Sequence, residues 1–224
     1  MGNLYIVATP IGNMQDITSR ALLTLNEVGA VLCEDTRQAK KIFEKYEIKT
    51  TRLIPFNEFN EENILYEALE LLKNNDVALV SDAGTPLISD PGYRLVFEAK
   101  KRGIRVIPIP GPSAVVAALS ASGLPTDKFV FLGFLPKTHT KAVKNLEMVK
   151  GLETTVVLYE SPHRILQTLN LIKELFGDIE VTVARELTKL HEEIFSTKIV
   201  GLLEKYTKQA PKGEFVLLFS TKHF

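Results

Sequence analysis

Cysteine is almost absent from this sequence, where Cys33 is the only one. A single cysteine excludes an internal disulfide framework and a metal site built from cysteines, and it suits a reducing compartment. We therefore interpret Cys33 as a small buried hydrophobe and predict no metal ion. The sequence also lacks an apolar run of the roughly 18 residues that cross a bilayer, and its N-terminus enters a strand pattern directly. These absences predict a cytoplasmic protein without a membrane partner.

An excess of charge is missing as well, because 27 basic residues balance 27 acidic ones. A strongly basic chain binds nucleic acid over much of its surface, and this composition excludes that mode of binding. Any contact with nucleic acid must therefore be local. Repeats and low-complexity tracts are also lacking. The 224 residues, 45% of them hydrophobic, are enough for a sizeable core in one large domain or two modest ones.

Two common nucleotide-binding loops are missing too. The first predicted strand is followed by Thr9-Pro10-Ile11-Gly12-Asn13, which offers one glycine and a proline without a backbone N–H. This loop disfavours the pyrophosphate cradle of an NAD-dependent oxidoreductase. No GxxxxGK[ST] loop is present to take a nucleoside triphosphate.

What the sequence does contain is an alternation of short apolar runs and helical stretches, which is typical of strand, crossover helix and parallel strand units. The predicted strands cover residues 4–8, 30–33, 52–54, 77–80 and 104–109, followed by 129–132, 154–159, 180–184, 192–196 and 214–219. The last three have little room between them for long crossovers, so we expect a parallel first sheet and a mixed second sheet. Ser122-Gly123-Leu124-Pro125 is interpreted as a linker, which predicts an N-terminal domain at 1–122 and a C-terminal domain at 123–224.

Helix boundaries follow from proline and glycine. Asp90-Pro91-Gly92 predicts a capped helix start, with Asp90 as the capping residue, and Gly103 predicts the end of that helix. Ser161 followed by Pro162 predicts a second start of the same kind. Between the predicted strands, apolar residues recur at helical spacing, as in Ala21, Leu22, Leu25 and Val28.

Unusual loops follow the predicted strands, where parallel sheets bind their ligands. The longest is 81–92, and a loop with two glycines, two prolines and two aspartates is costly to order without a ligand. Gly84 would let backbone approach a ligand closely, and Asp82 or Thr85 could receive an amine or a hydroxyl. In the second half, a cation on the first turn of a helix opposes the helix dipole, so His163 and Arg164 are interpreted as phosphate ligands. For Arg185 and Glu186 a mutual salt bridge is the alternative to a functional role.

Taken in order, these loops resemble one family, the small-subunit (16S) ribosomal RNA cytidine 2′-O-methyltransferases of the tetrapyrrole-methylase superfamily. The resemblance runs the length of the chain and rests on segments 9–13 with Asp16-Ile17, 34–37, 81–92, 110–114, 159–164, 185–189 and 212–215. It implies a tetrapyrrole-methylase-like α/β fold, with two α/β domains and a cofactor cleft between them. It also implies S-adenosyl-L-methionine as cofactor, 16S rRNA in the small ribosomal subunit as partner, and a homodimer.

Site residues are carried over from the same resemblance. The cofactor is expected to contact Pro10, Gly84, Thr85, Ile88, Ser113, Ala114, Tyr159, Ala184 and Gly213, to which the loop argument adds Asp82. Transfer of a methyl group to a ribose hydroxyl needs a general base, and Asp35 or Glu160 is predicted for that role among the acidic residues and histidine of these loops. The predicted substrate contacts are Arg37, His163, Arg164, Arg185 and Lys189.

Alternatives remain open at this point. Another member of the superfamily would methylate a porphyrinoid or a protein, and is expected to carry a glycine-aspartate-proline turn where this chain has Gly84-Thr85-Pro86. A non-catalytic RNA-binding assembly factor would keep the fold without using the cofactor. The basic stretch from Lys137 to Lys150 could steer RNA, but Glu147 and Glu153 dilute it, which favours an ordinary solvated helix face. Family members usually continue past the last strand, whereas this sequence ends at Phe224, a difference that bears on RNA docking more than on cofactor binding.

Overall fold

A computed structural model describes residues 1–49 and 52–222. The chain forms two compact units, Met1–Ser113 and Ala114–Phe224. The predicted division at 122/123 differs from this one because it places residues 114–122 in the first domain and not in the second unit. It remains a proposal. No helix in the described part of the chain is both long and apolar enough to span a lipid bilayer.

The first unit alternates strands and helices, as predicted. Its strands are β1 (Leu4–Val7), β2 (Ala30–Cys33), β3 (Leu53–Pro55), β4 (Val77–Val80) and β5 (Val106–Ile109). Its helices are α1 (Ser19–Glu27), α2 (Thr36–Lys45), α3 (Glu61–Leu71) and α4 (Tyr93–Lys101), with a short 3-10 helix at Met14–Asp16.

All pairings in the first sheet are parallel, in the order β3-β2-β4-β1-β5. One hydrophobic cluster joins α3 and α4 to one face, and a second joins α1 and α2 to the other. β2 and β4 are buried at every position, which explains why both are continuous apolar runs. Cys33 is buried in the second cluster, as predicted.

The second unit begins with a helix. Its helices are α5 (Ala114–Ala121), α6 (His139–Glu147), α7 (Ile165–Phe176) and α8 (Ile199–Lys208). Its strands are β6 (Phe129–Phe134), β7 (Thr155–Glu160), β8 (Glu180–Arg185), β9 (Glu193–Lys198) and β10 (Phe215–Ser220).

The second sheet is mixed, which confirms the prediction. Its order is β6-β7-β10-β8-β9, and the β6–β7 pair is its parallel pair. The other three pairs are antiparallel. One cluster packs α6, α7 and α8 on one face. The opposite face meets α5, which packs against β10 and whose following residue Ser122 accepts a hydrogen bond from Thr182 Oγ1 at 3.4 Å.

Two predicted helix starts are wrong. α4 begins after Gly92, which has φ +126° and no capping side chain, so Asp90 lies outside the helix and does not cap it. α7 begins after Arg164, and Ser161 instead accepts backbone hydrogen bonds from residues 164 and 165 through its carbonyl. Gly92 separates Pro91 from α4, and a turn at residues 162–164 precedes α7, which composition alone does not reveal.

The predicted end of α4 is confirmed. Gly103 takes φ +72°, and the N–H of Ile104 donates to the carbonyl of Ala99 at 3.0 Å. The N–H of Gly103 donates to Lys100 at 3.1 Å. This is the pattern in which a left-handed glycine closes a helix and satisfies its last carbonyls.

Candidate active site

The loops after β1, β4 and β5 are joined to one another by hydrogen bonds. Thr9 and Gly84 form an isolated antiparallel bridge, with N···O distances of 2.8 and 3.0 Å. The hydroxyl of Thr85 donates to the carbonyl of Pro112 at 3.1 Å. Three of the loops that the sequence singled out therefore meet at the carboxyl edge of the first sheet.

Glycine is required at two points of the 81–92 loop. Gly84 takes φ +85°, and a Cβ there would lie 3.3 Å from Ile11 Cγ2. At Gly92 a Cβ would come within 2.6 Å of Leu79 Cδ2. Leu87 and Ser89 also have positive φ, at +74° and +70°. Strained backbone of this kind is concentrated at functional sites, where it is over-determined by its surroundings.

A further bond connects the β2 loop to the β4 loop. The N–H of Asp35 donates to Asp82 Oδ1 at 3.0 Å. The Asp35 carboxylate in turn accepts from Arg37 through its backbone N–H at 2.8 Å and through its guanidinium at 2.6 to 3.0 Å. These bonds to Arg37 lower the pKa of Asp35 to about 2. Arg37 keeps 84% of its side chain exposed.

Carboxylates crowd the same edge. Burial, with added repulsion from Asp82, raises the pKa of Asp90 to about 6, although a hydrogen bond with Ser81 lowers it in part. Burial is also the main cause that raises the pKa values of Glu34 and Asp82, and neighbouring carboxylates add to it. The edge therefore groups several carboxyl groups whose charged forms are disfavoured mainly by burial.

The other cofactor residues predicted in the first unit lie on these same loops. Pro10 is buried directly after the Thr9 bridge, and Ser113 is half-buried as the last residue of the unit. Ile88 is an apolar side chain that is 43% exposed in the 81–92 loop.

In the second unit, the predicted residues of β7 point to opposite faces of the sheet. Val156 and Leu158 belong to the cluster formed with α6, α7 and α8, so strand alternation places Tyr159 on the α5 side and Glu160 on the cluster side. Ala184 follows Val183 of that cluster and lies on the α5 side too. Together with Ala114 at the start of α5, three predicted cofactor residues share one face.

The Glu160 side chain is fully buried and its two oxygens are bonded. Thr168 Oγ1 donates to Oε2 at 2.5 Å, and the N–H of Ser161 donates to Oε1 at 2.8 Å. The Arg164 Nε atom lies 3.8 Å from Oε1. Arg164 also donates to the carbonyl of Leu135 at 2.8 Å, so it connects the β6 and β7 loops, while His163 is exposed.

Arg185, Glu186 and Lys189 belong to a network of ion pairs with other residues of the second unit. Arg185 pairs with Glu193 at 3.1 Å, and Glu186 pairs with Lys189 at 2.9 Å, so the alternative of a mutual Arg185–Glu186 salt bridge is not what the structure has. Arg185 is the last residue of β8, whereas Glu186 follows the strand with φ +51°. The Glu186 Oε1 atom also accepts from the N–H of Glu214 at 3.0 Å.

Gly213 is required by the same network. It has φ +90°, and a Cβ there would lie 2.5 Å from Glu186 Cγ. The glycine therefore lets the Glu186 carboxylate reach the neighbouring backbone.

Thr168 was missed by the sequence analysis, because its hydroxyl meets Glu160 only through the packing of α7 on β7 and no local motif marks it. Among the described residues, no group of three or more His, Cys, Asp or Glu side chains is placed to hold a metal ion.

The sequence profile of the family described as Tetrapyrrole (Corrin/Porphyrin) Methylases matches residues 3–202. The chain belongs to this family. Solved structures with the tetrapyrrole-methylase fold agree with that assignment. Diphthine synthase superposes with a TM-score of 0.76 at 16% identity, covering 98% of this chain and 90% of that one. Uroporphyrin-III-C-methyltransferase from Thermus thermophilus gives 0.65 at 20% identity, covering 99% and 96%. At these identities the likeness concerns the fold alone.

Relatives of higher identity are found within the tetrapyrrole methylases. A protein of Thermotoga maritima called ribosomal RNA small subunit methyltransferase I is 48% identical over 99% of this chain and 100% of its own length. Proteins of the same name from Halalkalibacterium halodurans and Bacillus subtilis are 45% and 43% identical, each over 97% of this chain and 75% of their own length.

Proposed function

We propose that this chain is an S-adenosyl-L-methionine-dependent methyltransferase that methylates the ribose 2′-hydroxyl of a cytidine in 16S rRNA of the small ribosomal subunit. The name shared by relatives of 43 to 48% identity supports rRNA of the small subunit as the substrate class. The resemblance of the loop motifs supports the cytidine and its 2′-hydroxyl.

The observation that carries the choice of cofactor is the crowding of Glu34, Asp82 and Asp90 at loops locked around Gly84. Carboxyl groups that lie together at one edge favour a ligand of positive charge. S-adenosyl-L-methionine supplies a methyl group on a cationic sulfonium. The exposed apolar side chain of Ile88 suits the uncharged parts of such a ligand.

The residues that would hold this cofactor are those the family resemblance names, together with Asp82. They are Pro10, Asp82, Gly84, Thr85, Ile88 and Ser113 of the first unit and Ala114, Tyr159, Ala184 and Gly213 of the second. Asp82 has a further task in this proposal, because its bond to the Asp35 N–H fixes the start of α2. Thr85 can still accept a hydrogen bond, since its own proton is donated to Pro112.

For the general base we favour Asp35 over Glu160. Glu160 is fully buried, and both of its oxygens accept hydrogen bonds on the sheet face opposite to Tyr159. Its position suits support of the β7–α7 junction. Asp35 is ionised at neutral pH and half-exposed, but its low pKa makes it a weak base. Precise positioning of the ribose hydroxyl would then supply most of the rate enhancement.

The predicted substrate contacts differ in how exposed their side chains are. Arg37 and His163 are exposed and fit contacts to RNA phosphates. Arg164, Arg185 and Lys189 bond to carbonyls and carboxylates of the second unit, so we assign them to shaping the loops that meet the substrate. We also propose a cytoplasmic homodimer.

The cofactor is tested by thermal unfolding with S-adenosyl-L-methionine, its demethylated product or NAD. A ligand at one hundred times its Kd stabilises the folded state by about 2.7 kcal/mol, so the first two should raise the Tm and NAD should not. Gly84→Ala should diminish the rise, because its Cβ would meet Ile11, whereas Gly151→Ala has open space and should keep it. An equal response to all three ligands would contradict the proposal.

The substrate is tested with tritiated cofactor and small ribosomal subunits from cells that lack the enzyme, followed by nucleoside analysis. We expect label in 2′-O-methylcytidine. Label on a base, on a ribosomal protein or on an added porphyrinoid would refute the substrate. Binding of RNA without any transfer would favour an assembly factor.

A further inference from the structure

β6 carries a bulge that changes the direction of its last side chains. Phe131 pairs with Val157 and Phe134 pairs with Tyr159, so three steps along β6 match two steps along β7. Gly133, with φ +62°, lies within this irregularity. In a regular strand residues three apart point to opposite faces, but one extra residue restores them to the same face.

The result is an aromatic cluster on the α5 side of the second sheet. The Tyr159 ring makes edge-on contacts with Phe131 at 4.8 Å and with Phe134 at 5.6 Å between centroids. Phe134 nevertheless leaves 52% of its surface exposed. Val130 and Leu132 of the same strand pack on the opposite side, against the core cluster. The strand thus places its aromatic rings where they are not needed for the core.

A loop with the basic residue Lys137 directly follows β6. Lys137 lies three residues after Phe134, which limits their Cα separation to about 10 Å. Lys137 lines a small cavity with His139 and Arg164. Within residues 1–49 and 52–222, Lys137 has no ion-pair partner, whereas the Arg164 guanidinium is bonded to Leu135. An exposed cation without an ion pair among the described residues therefore follows the exposed ring of Phe134 within about 10 Å along the chain.

We propose that Phe131, Phe134 and Tyr159 form a stacking platform for one base of a single-stranded RNA, and that Lys137 binds the phosphate of a neighbouring nucleotide. Single-stranded RNA is bound through bases stacked on aromatic rings with cations along the backbone. The platform rests on the proposed function, because it assigns part of the substrate to the second unit. It also gives a purpose to the bulge, since bulges are frequent where a side chain is redirected beside an active site.

The test measures binding of a short fluorescein-labelled oligocytidylate by anisotropy at several salt concentrations. Phe134→Leu keeps an apolar side chain but removes the ring, and it should weaken binding about ten-fold with the salt dependence unchanged. Lys137→Gln should lower the slope of log K against log salt by about 0.7, the value for one phosphate contact on a single strand. Phe129→Leu is the matched control, because Phe129 is 44% exposed at the other end of the same strand, about 16 Å away.

Several results would overturn the platform. They are failure of the native chain to bind the oligomer, equal affinities for Phe134→Leu and Phe129→Leu, or an unchanged salt slope for Lys137→Gln. The stacked base could belong to RNA or be the adenine of the cofactor, and calorimetric titration with S-adenosyl-L-methionine distinguishes the two. A loss of cofactor affinity in Phe134→Leu equal to the loss of RNA affinity would assign the ring to adenine and refute the RNA contact.

Failure of the platform and failure of the proposed function are distinguishable. Methylation of small ribosomal subunits by the native chain, with an oligomer that does not bind, would leave the function standing and remove the platform. Lys137 is exposed, and surface changes stay within about 0.5 kcal/mol, so its replacement should leave the fold intact.

Discussion

Burial in the 81–92 loop changes the ionisation of Asp90. Its pKa is about 6 in the folded chain, against an ordinary value near 3.8. Between these values the folded state holds more protons than the unfolded state, so this contribution to stability is complete below about pH 4 and is lost as pH rises through 6. Asp90→Asn should therefore raise the free energy of unfolding at pH 7.5 by about 1 kcal/mol after allowance for solvent screening.

Urea unfolding at pH 4.5 and 7.5 measures this effect. The difference between native chain and Asp90→Asn should shrink at the lower pH, because Asp90 is then largely protonated. Asp127→Asn serves as the control, since Asp127 is exposed outside the acidic edge and surface changes stay within about 0.5 kcal/mol. A stability gain that is the same at both pH values would show that ionisation is not its cause.

Single residues also show where sequence reasoning succeeds. Gly84 and Gly92 could be singled out from composition, because glycine in a long loop signals unusual backbone, and both have positive φ. The raised pKa of Glu34 could not be predicted, because its carboxyl neighbours Asp82 and Asp90 lie on a different loop. The burial that raises the pKa of Asp90 could not be predicted either, because Asp90-Pro91-Gly92 has the composition of a capped helix start.

The junction of β7 with α7 is the clearest test at the level of elements. Thr168 on α7 supplies the hydroxyl that donates to the buried Glu160 carboxylate at the end of β7. Thr168→Val keeps the shape and removes the donor, which leaves a charged oxygen without its partner. We expect a loss of about 2 kcal/mol in the free energy of unfolding, the usual magnitude for a bond to a buried charge.

Thr168→Ser provides the comparison, because it keeps the hydroxyl and deletes a methyl group. Chemical denaturation of the two variants side by side should show the larger loss for valine. If the serine variant were the less stable one, packing of the methyl group and not the bond to Glu160 would hold the junction.

The elements themselves could be largely predicted from the pattern. All ten predicted strands are present, because a buried strand is an apolar run bounded by turn residues. α8 was missed, since Ile199–Lys208 occupies a stretch that looked too short for a crossover between antiparallel strands. The bulge in β6 was missed too, because register depends on the partner strand and not on Phe129–Phe134 alone.

At the scale of the whole molecule, the proposed cofactor contacts are divided between two units. If both units bind one ligand, the demethylated product of the cofactor should slow hydrogen exchange in both. We expect protection in residues 81–92 of the first unit and at the ends of β7 and β8 in the second, with exchange in α6 unchanged. Mass spectrometry of peptic fragments measures this. Protection confined to the first unit would contradict the shared site.

The bulge at Gly133 also affects the tendency of this protein to aggregate at high concentration. β6 is the edge of the second sheet among the described strands, and a straight apolar edge invites another chain to add a strand to it. The irregular backbone at Gly133 interrupts the row of donors and acceptors that such a strand would need. A variant that straightened β6 would therefore have an edge strand able to pair with other copies of the chain. Its first effect would be aggregation of the expressed protein into inclusion bodies.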